Sequence, residues 1–269
     1  MNNIATAKES IKITRDRHYT LNGREVVLPD GDFTAAEVIS PEEGTRLTAR
    51  EIPEGTMCAV TVTTEDSFQA ARRYQSPCVM NFANAHHPGG GFLLGANAQE
   101  EALCRCSTLY ASISSETAAK MYRFNNTHVS TVESDYMLYS PNVCVFRNER
   151  CELIEEPFIV SVITVPAPNR FGAAMLASEK TVRETMLRRI RIVLAAAAAH
   201  GNRELVLGAW GCGAFGNDPQ KVAAYFRQVI ADEGFGRSFS EICFAIYGSP
   251  DSRNYTAFRS QLLGACGRE

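Results

Sequence analysis

The 269-residue sequence lacks the features that mark membrane, secreted and DNA-coating proteins. No stretch reaches the roughly 18 uncharged apolar residues of a membrane-spanning helix, since the longest apolar run, Ile192 to Ala199, is short and rich in alanine. The N-terminus, MNNIATAKES, has no apolar core and is not typical of a signal peptide. With 27 Lys and Arg against 30 Asp and Glu, the chain also lacks the basic excess that sequence-independent DNA binding needs. We therefore expect no membrane partner.

The nine cysteines include no Cys-x-x-Cys pair. Several lie inside apolar runs, where a thiol behaves as a small hydrophobic side chain. The odd total of nine cysteines, with several in apolar runs, favours free thiols in a reducing cytoplasm. Two alternatives stay open, because the residues flank one expected cleft: a nucleophilic pair of Cys212 with His86, and a metal site built from His86, His87, Cys104 and Cys212.

Two further side-chain groups have simple structural interpretations. Trp210, the one tryptophan, ends a predicted strand, and we expect it to pack in the core rather than to stack on a ligand. Arg188, Arg189 and Arg191 lie on a predicted helix. We expect these three to form a solvated helix face rather than a nucleic-acid patch.

From about residue 57, short buried strands alternate with amphipathic helices. The pattern predicts strands over 57–63, 77–83, 143–146, 158–165, 205–209 and 242–247. It predicts helices over 67–74, 98–113, 181–200, 219–233 and 255–263. Such alternation is typical of an α/β fold with helices on both faces of the sheet. In these folds ligands bind where strands lead into helices, which directs attention to the loops after residues 83, 165 and 209.

The first 50 residues follow a different pattern. Residues 4–17 have helical spacing, and 19–28 contain Asn22-Gly23, a strong hairpin signal. We predict a short N-terminal extension over 1–50 and a main domain over 51–269.

Two glycine-rich loops each join a strand to a helix. The first, NAHHPGGGFLLGAN, spans 84–97, and Gly89, Gly90 and Gly91 in it let backbone N–H groups approach a ligand. The second, GCGAFGN, spans 211–217 and precedes a helix start at Asp218-Pro219. Neither is a P-loop or a dinucleotide fingerprint, which argues against a nicotinamide-dependent oxidoreductase. Taken singly, each is also compatible with a structural turn. Together they suit a diphosphate held from two sides.

Two neighbouring carboxylates, Glu100 and Glu101, open the helix after the first loop. With Asn97 as the N-cap, Glu100 takes the place of the acid in a capping box. Glu101 points about 100° away and precedes the apolar Ala102 and Leu103. Carboxyl groups beside apolar neighbours hold their protons more tightly than those in water, which is what a general acid needs near neutral pH.

At this point five stretches, in order along the chain, resemble the microbial-type poly(ADP-ribose) glycohydrolases. They are NFANAHHPGGG, QEEALCRCSTLY, YSPNVCVFR, ITVPAPN and GAWGCGAFGNDP, and the resemblance runs from about residue 40 to the end. The departures are His86-His87 before Pro88 and the cysteines at 104 and 106. The resemblance implies a three-layer α/β/α macrodomain with a mixed central sheet, so that the main domain is the catalytic one.

The resemblance also implies roles for residues. Glu101 is the catalytic acid and base, Glu100 holds the ribose hydroxyls beside the scissile bond, and Asn84 contacts the terminal ribose. Phe215 orders the substrate ribose, and the two glycine loops hold the diphosphate. The implied substrate-binding set is Asn84, Gly89, Gly90, Gly91, Gln99, Gly211, Cys212, Gly213, Ala214, Phe215, Gly216 and Asn217. No metal and no cofactor is implied.

The implied reaction is hydrolysis of the ribose–ribose O-glycosidic bond of poly(ADP-ribose), with release of ADP-ribose through an oxocarbenium-like transition state. Two alternatives keep the fold. One is removal of single ADP-ribose groups from protein or nucleic acid, and the other is a module that binds ADP-ribose without chemistry. The expected partners are ADP-ribose, its polymer and ADP-ribosylated macromolecules, and we take the chain to be a monomer.

Overall fold

Seven strands form one mixed sheet in the computed structural model, which describes residues 2–263. They are β3 (Glu37–Ile39), β4 (Ala59–Thr63), β5 (Cys78–Phe82), β6 (Met137–Arg147), β7 (Leu153–Val165), β8 (Glu204–Leu207) and β9 (Glu241–Ala245). Before them in the chain, β1 (His18–Leu21) and β2 (Arg24–Val27) form a separate hairpin. Across the large sheet the order is β3-β6-β7-β5-β8-β9-β4. The pairs from β7 to β4 are parallel, whereas β6 runs antiparallel to both of its neighbours.

Helices cover both faces of this sheet. They are α1 (Asn3–Asp16), α2 (Pro41–Thr48), α3 (Ser67–Ala71), α4 (Gln99–Cys106), α5 (Leu109–Ile113), α6 (Ala119–Thr127), α7 (Glu179–Ala199), α8 (Pro219–Arg227) and α9 (Arg253–Leu263). One core cluster joins the sheet to α2, α7, α8 and α9, and a second joins it to α1, α3, α4, α5 and α6. No helix within residues 2–263 is long and apolar enough to cross a membrane.

The strands are buried on both sides, which is why they read as continuous apolar runs. Along β5, Cys78 and Met80 point into the first cluster and Val79 into the second. Leu205 and Val206 divide between the same two clusters on β8. The predicted α/β architecture with helices on both faces is confirmed.

The parallel arrangement brings the three predicted ligand loops together. In the order β7-β5-β8, the neighbouring strands end at Val165, Phe82 and Leu207. Parallel neighbours end at the same edge of a sheet, so the loops that follow them are adjacent there. The strands predicted at 57–63, 77–83, 205–209 and 242–247 are all present: β4 and β5 are each two residues shorter than predicted, whereas β8 and β9 begin one residue earlier and end two residues earlier.

The helix predicted over 98–113 is wrong in its middle, because the chain breaks it into α4 and α5. Ser107 takes an extended conformation and bridges to Val145 of β6. Beside it, the Thr108 N–H donates to the Cys144 carbonyl, and the Cys144 N–H donates to Thr108 Oγ1. Hydrogen bonding to a neighbouring strand thus replaces one helical turn, a non-local effect that helical periodicity cannot predict.

The predicted extension supports the main domain in two places. Glu37–Ile39, which the sequence pattern did not predict as a strand, pairs with β6 at the edge of the large sheet. Helix α1 packs behind α4, where Ser10 Oγ donates to the Arg105 carbonyl at 2.6 Å. The predicted hairpin is confirmed, with Asn22 and Gly23 both at positive φ. The division at residue 50 stays a prediction.

The prediction of a solvated arginine face is wrong for Arg189, which is 0% exposed. Position 189 follows Met186 by three residues and precedes Val193 by four, so it shares their buried side of α7. Arg188, by contrast, is about half exposed. Arg191 is partly buried and pairs with Glu233.

All three nitrogen atoms of the buried Arg189 guanidinium donate hydrogen bonds. Its Nε donates to Asp135 Oδ1 at 2.8 Å, and its Nη groups donate to the carbonyls of Pro166 and Val132. Pro166 is the first residue after β7. Arg189 therefore connects α7 to the start of one of the three ligand loops.

We predict that Arg189→Ala lowers the free energy of unfolding by about 3–5 kcal/mol, because two buried carbonyls and a carboxylate lose their donor. The matched control is Arg188→Ala, which removes the exposed partner of the same carboxylate and should cost about 1 kcal/mol or less. Urea titration of both variants measures the difference. Equal losses would contradict this assignment.

Candidate active site

The loop after β5 folds its three glycines against the two glutamates at the start of α4. Gly89 and Gly90 have positive φ values of 72° and 55°, conformations that glycine adopts without steric cost. A Cβ on Gly90 would lie 2.5 Å from Glu101 Oε1 and 3.2 Å from Glu100 Oε2. The missing side chain at Gly90 therefore makes room for both carboxyl groups.

Glu101 is held by two backbone donors. The Gly91 N–H donates to Oε1 and the Ala98 N–H donates to Oε2, both at 2.9 Å. The side chain is 7% exposed. This arrangement fixes the orientation of the carboxyl group on the inner side of the glycine loop.

Glu100 is buried more deeply, with 3% of its surface exposed. The Asn84 N–H donates to Oε2 at 2.7 Å, and Asn81 Nδ2 donates to Oε1 at 3.2 Å. Burial raises the pKa of the Glu100 carboxyl to about 8, against the opposing effect of these hydrogen bonds, and the neighbouring Glu101 adds to the increase. Glu100 is therefore largely protonated near neutral pH.

The predicted capping arrangement is shifted by one residue. The N-cap is Ala98 rather than Asn97, and the acid that accepts the N-cap N–H is Glu101 rather than Glu100. Asn97 is not available as a cap, because its Oδ1 accepts a hydrogen bond from the Arg105 guanidinium. Arg105 also donates to the Ala96 carbonyl at 2.6 Å, which ties the end of the loop to α4.

Gln99 fastens the first turn of α4 to β5. Its Oε1 accepts from the Phe82 N–H at 2.9 Å, and its Nε2 donates to the Met80 carbonyl at 2.8 Å and to Ser67 Oγ at 3.2 Å. These contacts are all with the protein itself. Gln99 therefore positions the two glutamates that follow it.

Asn84 organises the beginning of the loop. Its Oδ1 accepts from the N–H groups of His86 and His87, while its own N–H goes to Glu100. The His86 ring lies 2.9 Å from Asn126 Oδ1 and 3.5 Å from Glu133 Oε1. His86 is therefore engaged away from Cys212, and the nucleophilic pair considered for these two residues is not formed.

The second glycine loop is a compact turn after β8. A Cβ on Gly211 would lie 2.7 Å from both Ala167 and Asn217, and one on Gly216 would lie 2.6 Å from the Phe171 ring. Asn217 is buried and donates from Nδ2 to the carbonyls of Pro168 and Gly211. Gly211, Gly216 and Asn217 thus hold the shape of this loop.

The central part of the same loop faces open space. Gly213, Ala214 and Phe215 line a cavity, and a Cβ on Gly213 would meet no atom within 4 Å. Trp210 is fully buried behind them and donates from Nε1 to the Val165 carbonyl, so its predicted core position is confirmed. Burial raises the pKa of the Cys212 thiol to about 12, which disfavours a nucleophilic thiolate there.

The cavity has a volume of about 700 Å³, within the range typical of small-molecule sites. One end is lined by Phe82, Gln99, the 213–215 segment and residues 245–247, and the other extends along α3 and α4 to the turn between β6 and β7. Asn84, Gly89–Gly91, Glu100 and Glu101 are not part of its wall. They lie next to it, beyond Gln99.

Within residues 2–263, no group of three or more His, Cys, Asp or Glu side chains is placed to hold a metal ion. His86 and Cys104 do not come together with Cys212 into such a group. Cys104 instead lies in the core cluster beneath α4.

The sequence reasoning missed two residues that shape the site, Asn81 and Arg105. Asn81 is fully buried and shares its Nδ2 between Glu100 and Thr164 Oγ1. An asparagine within the apolar strand PCVMNFA was the available signal, since a buried amide needs hydrogen-bond partners. Arg105, on the buried side of α4, gave a similar signal as a charge within an apolar stripe.

Comparisons of the chain with known proteins give consistent matches. A family model described as the microbial-type PARG catalytic domain matches residues 7–148. The crystal structure of poly(ADP-ribose) glycohydrolase (PARG) from Thermomonospora curvata is 38% identical, covers 97% of this chain and 99% of that chain, and has a TM-score of 0.89. The same protein bound to the inhibitor ADP-HPD has the same identity and coverage and a TM-score of 0.87.

A second solved relative is PARG from Deinococcus radiodurans in complex with ADP-ribose. It is 37% identical, covers 86% of this chain and 95% of that chain, and has a TM-score of 0.79. No curated protein sequence matches the chain closely enough to be counted as a relative.

We predict that Gly90→Ala destabilises the protein by about 1–3 kcal/mol, since the methyl group adds strain at positive φ and displaces the Glu101 carboxyl. Gly213→Ala, where a Cβ has open space, is the matched control and should change the free energy of unfolding by less than about 1 kcal/mol. Thermal or urea unfolding measures both. A neutral Gly90→Ala would show that the loop does not depend on this close approach.

The raised pKa of Glu100 makes the free energy of unfolding depend on pH. The folded protein holds the Glu100 proton with a pKa of about 8, whereas the pKa of an unperturbed glutamate is 4.5. Its contribution to stability is therefore fully present below about pH 4.5, declines as the pH rises and levels off above about pH 8. Glu100→Gln removes this decline, so its stability relative to the wild type should increase between pH 5 and about pH 9, with an upper bound on the order of 5 kcal/mol.

Urea titration of the wild type and Glu100→Gln at several pH values measures this, because titrating groups that do not interact with Glu100 cancel in the difference. A difference that does not change with pH would contradict the assignment of the raised pKa to Glu100.

Proposed function

The chain belongs to the microbial-type poly(ADP-ribose) glycohydrolase family, and we propose that Glu101 is the acid and base of its reaction. It is a glycosidase with a macrodomain-like fold, and it hydrolyses poly(ADP-ribose) to release ADP-ribose. The roles of individual residues below are inferred from the geometry of the cleft.

The diphosphate of the terminal ADP-ribose binds between the two glycine loops. Gly213 supports this placement, because the space beside its Cα is open: a Cβ built there would have no protein atom within 4 Å. Backbone N–H groups in such loops favour anions without needing a lysine or arginine side chain. In the first loop the N–H groups of Gly90 and Gly91 already donate to the His87 carbonyl and to Glu101, so we assign the N–H contacts with the diphosphate to the second loop. Phe215, next in the same cavity wall, would pack on the ribose that follows the diphosphate. Asn84 and Glu100 lie where they can orient the ribose hydroxyls at the scissile bond.

In the first step, protonated Glu101 donates its proton to the departing ribose oxygen as the C1–O bond breaks. The positive charge that develops on the sugar is stabilised by the adjacent diphosphate. In the second step, the Glu101 carboxylate accepts a proton from water while the water oxygen bonds to C1. The products are ADP-ribose and a polymer shortened by one unit, and Glu101 is protonated again.

Glu100 contributes by remaining neutral. Two carboxylates side by side in a buried pocket repel each other, which disfavours ionisation of both. Because the pKa of Glu100 is about 8, Glu100 is largely neutral near neutral pH and need not change charge during the reaction. A protonated Glu100 can also donate a hydrogen bond to a ribose oxygen.

The observation that carries this proposal is that the Gly91 and Ala98 N–H groups both donate hydrogen bonds to Glu101, in the space left by the missing side chain of Gly90. A carboxyl fixed by backbone on the inner side of an anion-binding loop is oriented before substrate arrives. Preorganisation of this kind lowers the barrier without an energetic cost during the reaction.

We further propose that the polymers are carried by ADP-ribosylated macromolecules and that the chain acts as a monomer in the cytoplasm. A reducing compartment agrees with the cysteines at 78, 104, 106, 144, 151, 212 and 243, none of which is in a disulfide. Cys266 lies outside the described residues.

We predict that Glu101→Gln lowers the rate of ADP-ribose release from polymer by about a thousandfold or more, which corresponds to at least about 4 kcal/mol of barrier. ADP-ribose binding should be retained within about tenfold, because the amide keeps the size of the side chain. Release is followed by chromatography of free ADP-ribose, and binding by calorimetry, with circular dichroism to check folding.

Glu100→Gln is the matched control, because it keeps the neutral, hydrogen-bonding form of Glu100 and should retain far more activity than Glu101→Gln. The reverse order of activities would identify Glu100 as the acid. Unchanged turnover by Glu101→Gln would refute the proposed role. Parallel reactions with polymer, a mono-modified protein and a modified oligonucleotide decide which ADP-ribose linkage is cleaved.

A further inference from the structure

Two thiols meet in the wall of the cavity, between the end of α4 and the turn that follows β6. Cys106, the last residue of α4, lies with its Sγ 3.7 Å from Sγ of Cys151 and 3.5 Å from the Asn148 carbonyl. Cys151 is in the turn between β6 and β7. The two residues are 45 positions apart in the chain, so their contact is a product of the fold.

Both thiols line the cavity, and they differ in exposure. Cys106 is 7% exposed, whereas Cys151 is only partly buried. Small solutes that enter the cavity can therefore reach the Cys151 sulfur first. By contrast Cys78, Cys104 and Cys144 are completely buried in the core clusters.

Positive charge surrounds the pair. The Cys106 thiol lies within hydrogen-bond distance of the Cys151 sulfur, and the guanidinium groups of Arg105 and Arg147 lie close by; together these outweigh burial and lower the pKa of Cys151. Arg105 and Arg147 are themselves almost fully buried. Among the described residues, the Nε atom of each is buried without a hydrogen-bond partner. Arg147 also pairs with Glu9, and the two guanidinium groups together favour the thiolate form of Cys151.

The turn that carries Cys151 leaves room for a shorter contact. A disulfide bond is about 2.05 Å long, so the sulfurs must approach by about 1.6 Å from their separation of 3.7 Å. Cys151 ends a surface turn whose residues 149 and 150 are exposed. Adjustment of this turn can bring the sulfurs together without moving the core of the sheet.

We propose that Cys106 and Cys151 form a redox-active dithiol that hydroperoxides oxidise to a disulfide. The Cys151 thiolate attacks one oxygen of the peroxide and the O–O bond breaks. The departing alkoxide or hydroxide takes up the proton that the Cys151 thiol had released, which gives a sulfenic acid on Cys151 and an alcohol or water. Cys106 then attacks the Cys151 sulfur, its proton joins the departing hydroxide, and water leaves. In total, two thiols and one hydroperoxide give one disulfide, one alcohol (water for hydrogen peroxide) and one water.

The test is oxidation of the reduced full-length protein with hydrogen peroxide, followed by alkylation and peptide mass spectrometry without reductant. We expect one disulfide, between Cys106 and Cys151, which dithiothreitol reverses. Alkylation of Cys151 in the reduced protein should be on the order of tenfold faster than that of the buried Cys144, because the thiolate is the reactive form.

Variants separate the two roles. Cys106→Ser should stop the reaction at a sulfenic acid on Cys151, which dimedone traps, whereas Cys151→Ser should leave Cys106 reduced. Cys144→Ser, which removes a buried thiol outside the pair, is the control and should still form the disulfide. The proposal is overturned if the wild type forms no disulfide or a different one, or if Cys151 reacts no faster than Cys144. Neither outcome bears on the hydrolase activity.

Discussion

Two neighbouring carboxyl groups, buried together at the start of one helix, are the constraint on which this site depends. Glu100 and Glu101 are 3% and 7% exposed, and two full negative charges at such a place would be costly. The protein resolves this by giving the two side chains different surroundings. Burial favours the neutral form of Glu100, even though Asn81 on β5 donates a hydrogen bond to it, and Glu101 is turned toward the N–H groups of Gly91 and Ala98.

The rest of the fold maintains that difference. Gly90 supplies the space, Gln99 ties the helix start to β5, and Arg105 ties the preceding loop to the same helix. Helix α1 supports α4 from behind through Ser10. The second glycine loop reaches the site only because β8 is the parallel neighbour of β5, so that both loops leave the same edge of the sheet. Catalytic geometry thus depends on strand order as well as on the local sequence.

Local patterns predicted a large part of this arrangement. The glycine triplet, the two glutamates and the helix start at Asp218 depend on neighbours within a few residues, and the Asp218 cap is as expected, with its carboxylate accepting the Gln220 N–H. Contacts between residues far apart in the chain could not be predicted from local sequence patterns. Asn97 does not cap the helix because its Oδ1 accepts a hydrogen bond from Arg105. The long helix breaks at Ser107 because this residue forms a β-bridge with Val145 of β6. The burial that raises the pKa of Glu100 likewise comes from packing that sequence spacing does not contain.

A crystal structure of this chain with ADP-ribose tests the central claim most directly. The account predicts that the diphosphate lies between the loops at Gly89–Gly91 and Gly213–Phe215, and that a Glu101 oxygen lies within hydrogen-bond distance of the hydroxyl on the anomeric carbon. A structure in which Glu101 faces away from that carbon, with Glu100 or another group in its place, would contradict it.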